Sequence, residues 1–461
     1  MTKTLLVTGK LAEPRLKAVM AALEPSFEYQ IWCAGVKVAA LITESILLNR
    51  LPRPLHVGRV ILPGRCRAHL DHLSAAFGVP FERGPDELKD LPEYFGKRGG
   101  PPDLSRHDLR LFAEIVDAST LPISALRERA DALSEAGADV IDLGCLPDTP
   151  FPLLEDAVRT LRADGHKVSV DSADPDELRR GAAAGANYLL SLTEFTLDAA
   201  GGSRPVLVPA SHGDVNSLVR AYERAKARGI DPILDPILDP IHFGFTDSLA
   251  RYRELRARLP DAEMMMGTGN LTELTEVDSA GLTALLVGVC SELRIANALT
   301  VQVSSHTRRT LQEHDAARRL MYAARDAQSL PKGFGNALLQ IHDKSPFSAN
   351  TAEIAAASMQ VKDRNFRIEV AADGIHVFNR DGQWSATGAF ELFDNLGVER
   401  DGAHAFYLGA ELQKAEIAFR LGKRYVQDEP LYWGVAVDRA SEDRTRLAKA
   451  SHTLRTKPTC P

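Results

Sequence analysis

Between residues 111 and 270, short apolar runs alternate with stretches of helical periodicity, and a polar side chain recurs just past the runs. LFAEIV ends before Asp117, ADVI before Asp142, KVSV before Asp171, ILDPIL before Asp239 and EMMMGTG before Asn270. YLLSL, PVLVPAS and ALTVQVS supply further runs of the same kind. Short β-prone runs separated by amphipathic stretches read as strands and helices in strict alternation. That order predicts a (β/α)₈ TIM barrel over residues 108–330. In such an α/β barrel the interior is packed and the chemistry sits at the carboxyl ends of the strands.

The helical stretches carry their own punctuation. In Asp174-Pro175-Asp176-Glu177, Asp caps the helix, Pro occupies its first turn and Glu three residues on completes a capping box. ISALRERADALSEAGAD places Leu126, Ala130 and Leu133 on one face and stops at Gly137. Upstream, TLLVTGKLA, LKAVMAALE and GRVILPGR alternate as a Rossmann-like α/β layer over residues 1–100. The Gly- and Pro-rich segment KRGGPPDLSRHD marks the boundary. Downstream, 331–350 reads as a connector and 345–440 as a small α+β or α/β domain. There FRIEVAADGIHVFNRDG predicts strand, turn and strand, AELQKAEIAFRLG a helix and LYWGVAVD a late strand. The polar tail 441–461 is expected to fray.

At 461 residues the chain exceeds one ordinary domain. A net charge of −7 argues against nucleic acid as the main partner, because phosphate neutralisation needs clustered Lys and Arg. No apolar run reaches the about 18 residues of a membrane span, and MTKTLLVTGKLAEPR turns polar too soon for a signal peptide. The five cysteines are scattered without metal spacing, which suits a reducing, cytoplasmic compartment. Cys145, just past a predicted strand, is a candidate to line the pocket, and more simply a small residue in a tight place.

Carboxylates gathered at one rim have three uses: to bind a divalent metal, to act as acid and base, or to accept the N–H edge of a heterocycle. The bland alternative is that Asp142 and Asp171 only cap helices or anchor loops. His212, after the fifth strand, and His242, after the sixth, are placed to shuttle a proton or to make a structural hydrogen bond. In the repeat DPILDPILDP only one Asp fits the strand end. Asp239 is preferred, with HFGF as the turn that follows, and Asp235 is expected within the strand or in the core.

GADVIDLG (137–144), the SVDS at 169–172 that opens DPDELRRGAAAGAN, and LDPIHFGF (238–245) resemble dihydropteroate synthase and its pterin-binding relatives. The resemblance covers about 108–310 and implies that Asp171 and Asp239 hold a pterin ring. It extends the pterin-facing set to Asp142, Ser191, Gly267 and Asn270, with Asn270, Asp117 and His212 as candidate reacting groups. Asp117 falls where the synthases place an Asn. Three departures matter. The Lys of the synthases' Ser-Arg-Lys motif is replaced by Asn270 in GTGN, their Arg-x-His by the uncharged QVS at 302–304, and their Ser-Thr-Arg-Pro loop by CLPDTP. The groups that would stabilise a departing diphosphate are thus missing.

GTGN is similar instead to the methyltetrahydrofolate:corrinoid methyltransferase branch of the superfamily, in which an Asn bonds the pterin N5 region. HAFYLGAELQKAEIAFRLGKRYVQD (404–428) is similar to segments of archaeal dihydropteroate synthase-related proteins and, distantly, to a corrinoid-bearing subunit. On that likeness His404 is a candidate cobalt ligand, against its simpler reading as a helix-side residue. The whole arrangement resembles three-domain proteins of organisms that use tetrahydromethanopterin. It implies a reduced pterin as substrate or cofactor, with corrinoid and Mg²⁺ as possible additions. It also implies a transferase role in that carrier's biosynthesis or in one-carbon metabolism, or a pterin-binding protein without catalysis, and a possible homodimer.

Overall fold

The computed structural model describes residues 3–86, 88–96 and 102–438. The chain divides into two compact units, Met1–Pro102 and Asp103–Pro461, a division that falls within the Gly- and Pro-rich segment.

In the first unit four parallel strands, β1 (Thr4–Thr8), β2 (Tyr29–Cys33), β3 (Arg59–Leu62) and β4 (Phe81–Arg83), form one sheet in the order β2-β1-β3-β4. The strands alternate between two cores. Leu5, Val7, Val60 and Leu62 face one, while Leu6 and Ile61 face the helix Glu13–Leu23 through Leu16 and Met20. A parallel sheet covered on both faces needs this near-continuous apolar character.

The second unit opens with the barrel. Its strands are β5 (Arg110–Ile115), β6 (Val140–Gly144), β7 (Val168–Asp171), β8 (Tyr188–Leu192), β9 (Arg204–Leu207), β10 (Ile233–Leu234), β11 (Glu263–Gly267) and β12 (Asn297–Val301). All pair in parallel with their sequence neighbours, and β12 closes on β5 through Asn297↔Arg110 to Val301↔Glu114. The expected (β/α)₈ barrel is the observed fold.

Side chains of period two fill the lumen in layers. At the amino end of the strands Glu263 accepts from Arg110, from Arg204 at 2.8 Å and from the Asn297 amide at 2.9 Å, and Arg110 also reaches the Tyr188 hydroxyl. Above this ionic floor, Phe112, Val140, Leu190, Val206, Ile233 and Met265 form a separate apolar layer. Two residues beyond Phe112, Val140 and Ile233 stand Glu114, Asp142 and Asp235, so this part of the carboxyl end turns acidic.

The helix after β12, Thr310–Asp326, is tied back to the start of the barrel by one buried guanidinium. Arg318, whose side chain is 3% exposed, pairs with Asp139 and with Asp315 at 2.7 Å, and donates to the carbonyls of Leu109 and Gly137.

Beyond the barrel, β13 (Arg367–Ala371), β14 (Gly374–Asn379) and β15 (Gly382–Ala386) form an antiparallel meander packed on the helix Gly402–Leu421. This is an α+β arrangement. The strand expected for LYWGVAVD does not form. Gly434 takes a positive φ of 58° in a short 3₁₀ turn, and the Val435 amide bonds the carbonyl of Ala337 instead of a neighbouring strand. The expectation for 441–461 lies outside the described residues. Among the described residues no helix is long and apolar enough to cross a membrane.

Candidate functional site

At the carboxyl end of the barrel lies a cavity of about 420 Å³ lined by Glu114, Asp171, Ser191, Asp235, Gly267 and Asn270, with Ile237 and Leu238 among its apolar walls. No lysine or arginine lines it among the described residues. The backbone order explains each position. Glu114 lies two steps beyond Phe112 on β5, Asp171 ends β7, Ser191 lies on β8, Asp235 directly follows β10, Gly267 ends β11 and Asn270 lies in the turn Gly269–Thr272.

Asp142 is not past its strand, as its run suggested, but inside β6 and fully buried. The Ser169 hydroxyl donates to its Oδ1 at 2.5 Å, whereas Oδ2 has no partner. One oxygen each of Glu114, Asp142 and Asp171 lies within 4.8 Å of the others. Gly144 leaves the space that Glu114 uses: a Cβ there would lie 2.6 Å from Glu114 Oε1.

Burial with no compensating cation disfavours the charged forms of these acids. The Glu114 carboxyl is pushed up to about 7 by burial and then by the charge of Asp171. Burial also raises Asp171, against the opposing Ser191 hydroxyl that donates to it at 2.5 Å. Asp142 is raised well above the carboxylate range by burial and by both neighbours. Asp235 is raised to about 6 by burial, partly offset by donors from Tyr252 Oη at 2.7 Å and the Ile237 amide at 2.8 Å.

The two lining residues Ser191 and Ile237 have positive φ, 65° and 67°. For a β-branched residue such as Ile237 this backbone costs roughly 1–3 kcal/mol and persists only where the surroundings enforce it. Here the Asp235 carboxylate holds the Ile237 amide and Arg251 holds its carbonyl at 2.8 Å. Strain of this kind collects at ligand clamps.

The other expected site residues fall elsewhere. Asp239 was expected at the end of the sixth strand, but β10 stops at Leu234 and Asp235 takes that place. The physical reason is Pro236, which has no N–H to continue the ladder. Asp239 is outside the cavity lining, bonded to Arg251 at 2.7 Å and to His212 Nε2 at 3.0 Å, with its own side chain 6% exposed. Burial works against its charge, yet these two partners hold its carboxyl below the ordinary value. The Asp239–Arg251 pair therefore anchors the loop that carries Ile237 and Leu238. Asp239→Asn is expected to lower stability by about 1–3 kcal/mol, measured by urea denaturation. A change below the error of the measurement would remove the anchor role.

His212 is exposed and does not reach the cavity, and His242 is exposed in the following loop with a φ of 69°. Asp117, past β5, points away to Arg129 at 2.5 Å with its side chain 40% exposed. Cys145 is half-buried outside the lining, and burial beside Glu177 pushes its thiol up. Asn270 does line the cavity, and its amide donates to the Leu238 carbonyl at 2.7 Å. His404 lies in the C-terminal domain with its ring packed beside those of Phe366 and Tyr407.

Sequence reasoning missed Glu114 and misplaced Asp235. Alternation in RLFAEI puts Arg110, Phe112 and Glu114 on one face of β5, so period two would have found the first. No local signal would have found the second, because Asp231, Asp235 and Asp239 are each followed by a proline.

Comparison with known proteins gives three kinds of likeness. A family of unknown function, DUF6513, matches residues 2–86. A family named PterinBD-DUF4346 matches residues 376–428, within the C-terminal domain. The uncharacterized protein MJ0107 of Methanocaldococcus jannaschii is 26% identical over an alignment of 526 residues, which spans 93% of this chain and 99% of that one. Among solved structures, the dihydropteroate synthase of Yersinia pestis is 19% identical, with 49% of this chain and 95% of that chain covered and a TM-score of 0.38. The corresponding figures for 7,8-dihydropteroate synthase from Vibrio fischeri are 12%, 49%, 95% and 0.39. For the Xanthomonas albilineans enzyme crystallised with 4-aminobenzoic acid they are 21%, 50%, 96% and 0.39. These likenesses add nothing to the barrel fold already read from strand pairing, and they assign no activity.

Proposed function

We propose that the barrel binds a reduced pterin and serves a group transfer in which no diphosphate leaves. The observation that carries this reading is the lining itself: two strand-end carboxylates, Asp171 and Asp235, beside the Asn270 amide, with no lysine or arginine among the described lining residues. A carboxylate accepts two coplanar N–H donors, which suits an aminopyrimidine edge. Asn270 supplies a neutral amide beside the ring, and Ile237 and Leu238 supply flat apolar contact. A diphosphate leaving group would find no lysine or arginine among the described lining residues.

The name of the family that matches residues 376–428 is consistent with a pterin partner. On this reading Asp239 acts through the loop it anchors, and Asp117 and His212 stay outside the ring contacts. Tetrahydromethanopterin-type carriers and methyl transfer are the finer form of the proposal, and binding without catalysis is its simpler form.

Titration with a reduced pterin, followed by calorimetry, tests it. Saturable binding at one site per chain is expected, and Asn270→Ala is expected to weaken it by about 1–3 kcal/mol, the value of one lost buried hydrogen bond. No saturable heat with the unaltered protein would overturn the reading.

A further inference from the structure

We propose that Glu114, Asp142 and Asp171 together bind one divalent cation of the hard, oxygen-preferring class in the floor of the cavity. Three observations carry this. First, one carboxylate oxygen from each residue lies within 4.8 Å of the other two, a spread that a single ion spans at ordinary metal–oxygen distances. Second, Asp142 is fully buried inside the barrel and its Oδ2 has no hydrogen-bond partner. A buried polar atom without a partner is costly and calls for an explanation, and a bound ion supplies one.

Third, the serines around the cluster are arranged as outer supports. Ser169 donates to Asp142 Oδ1 and Ser191 to Asp171 Oδ1, each at 2.5 Å, so each hydroxyl occupies one oxygen and leaves the other for a ligand. Gly144 adds to this order, since any side chain there would displace the Glu114 carboxylate.

The donor set fixes the kind of ion. Three carboxylates without Cys or His favour Mg²⁺, Mn²⁺ or Ca²⁺ over zinc or copper. Glu114 and Asp171 also line the cavity, so the ion's remaining positions face the space in which a ligand would lie. This site would place a positive charge in a cavity whose described lining otherwise lacks one. With Asp171 engaged by the ion and by Ser191, Asp235 is the strand-end carboxylate left to accept the N–H edge of a ring, so the site bears on the proposed reading only through Asp171.

The test uses the full chain, stripped with chelator, and the metal alone. Titration with Mn²⁺, with free ion read by electron paramagnetic resonance, is expected to show one saturable site per chain that Mg²⁺ competes for. Asp142→Asn and, separately, Ser169→Ala are expected to weaken Mn²⁺ binding at least tenfold, with far-ultraviolet circular dichroism unchanged. Asp171→Asn provides a third variant should Asp142→Asn fail to fold. Absence of saturable Mn²⁺ binding by the unaltered protein, or an undiminished affinity in the folded variants, would overturn the assignment.

Discussion

Arg318→Leu is expected to cost roughly 3–5 kcal/mol of stability, the loss seen when one partner of a buried ion pair is removed. The guanidinium is 3% exposed and joins the last barrel helix to the segment that precedes β5 and to the loop that precedes β6. Leucine would leave Asp139 without its cation, Asp315 with Arg319 alone, and the carbonyls of Leu109 and Gly137 without this donor. Asp139 also accepts from the Leu111 amide at 2.8 Å, so the damage would spread to the first strand. Urea denaturation measures this loss. A change below about 1 kcal/mol would show that the clamp is no more than a surface pair.

Asp235→Asn is expected to act in two opposite directions. Asparagine keeps an acceptor for Tyr252 and for the Ile237 amide, so the local hydrogen bonds survive. What disappears is a charge that the fold holds out of water. The folded-state carboxyl is raised from 3.8 to about 6, so it binds its proton more tightly folded than unfolded. Its destabilising effect is therefore absent below about pH 4, grows as pH rises to 6, and is constant above.

The variant should consequently be the more stable protein at pH 7, by at most roughly 3 kcal/mol, with the gain fading at pH 4. The Tyr252 phenol, the Arg251 guanidinium, the Asp171 carboxyl and the Cys290 thiol act electrostatically on or with this group, and none is altered by the substitution. For ligand the sign reverses. Loss of a charged acceptor is worth about 1.5–3 kcal/mol, so reduced-pterin affinity should fall by one to two orders of magnitude. Thermal melts at the two pH values and calorimetry at pH 7 check both halves. A variant that is less stable at pH 7 and binds undiminished would remove Asp235 from the site.

The barrel was legible because its signal is repeated. Each strand is short and apolar, each helix is amphipathic, and no single error in a boundary changes the order of elements. Asp171 was legible for the same reason, since it ends its run in sequence and in space. Glu114 was hidden because attention to the residue after a run passes over the inward-facing residue within it. Asp142 was noticed, but its burial inside β6 depends on register with β5 and β7, which spacing alone does not give.

In DPILDPILDP the repeat offered equivalent choices, each Ile-Leu pair lying between two prolines, and only the pairing of Ile233 and Leu234 with β9 and β11 separates them. The pairing of Asp239 with Arg251 is a matter of how the loop turns back on the helix Phe245–Arg258. That path includes positive φ at Ile237, His242 and Gly244, which pattern analysis does not anticipate for the first two. LYWGVAVD misled because strand-like composition says nothing about whether a partner strand exists.

The knot of Arg110, Arg204, Glu263 and Asn297 acts as a stopper in the barrel's far mouth. Molecules must then enter and leave through the same opening. Whatever occupies the deepest position arrives first and departs last, so a reaction of two substrates there would follow a compulsory order, visible in its product-inhibition pattern.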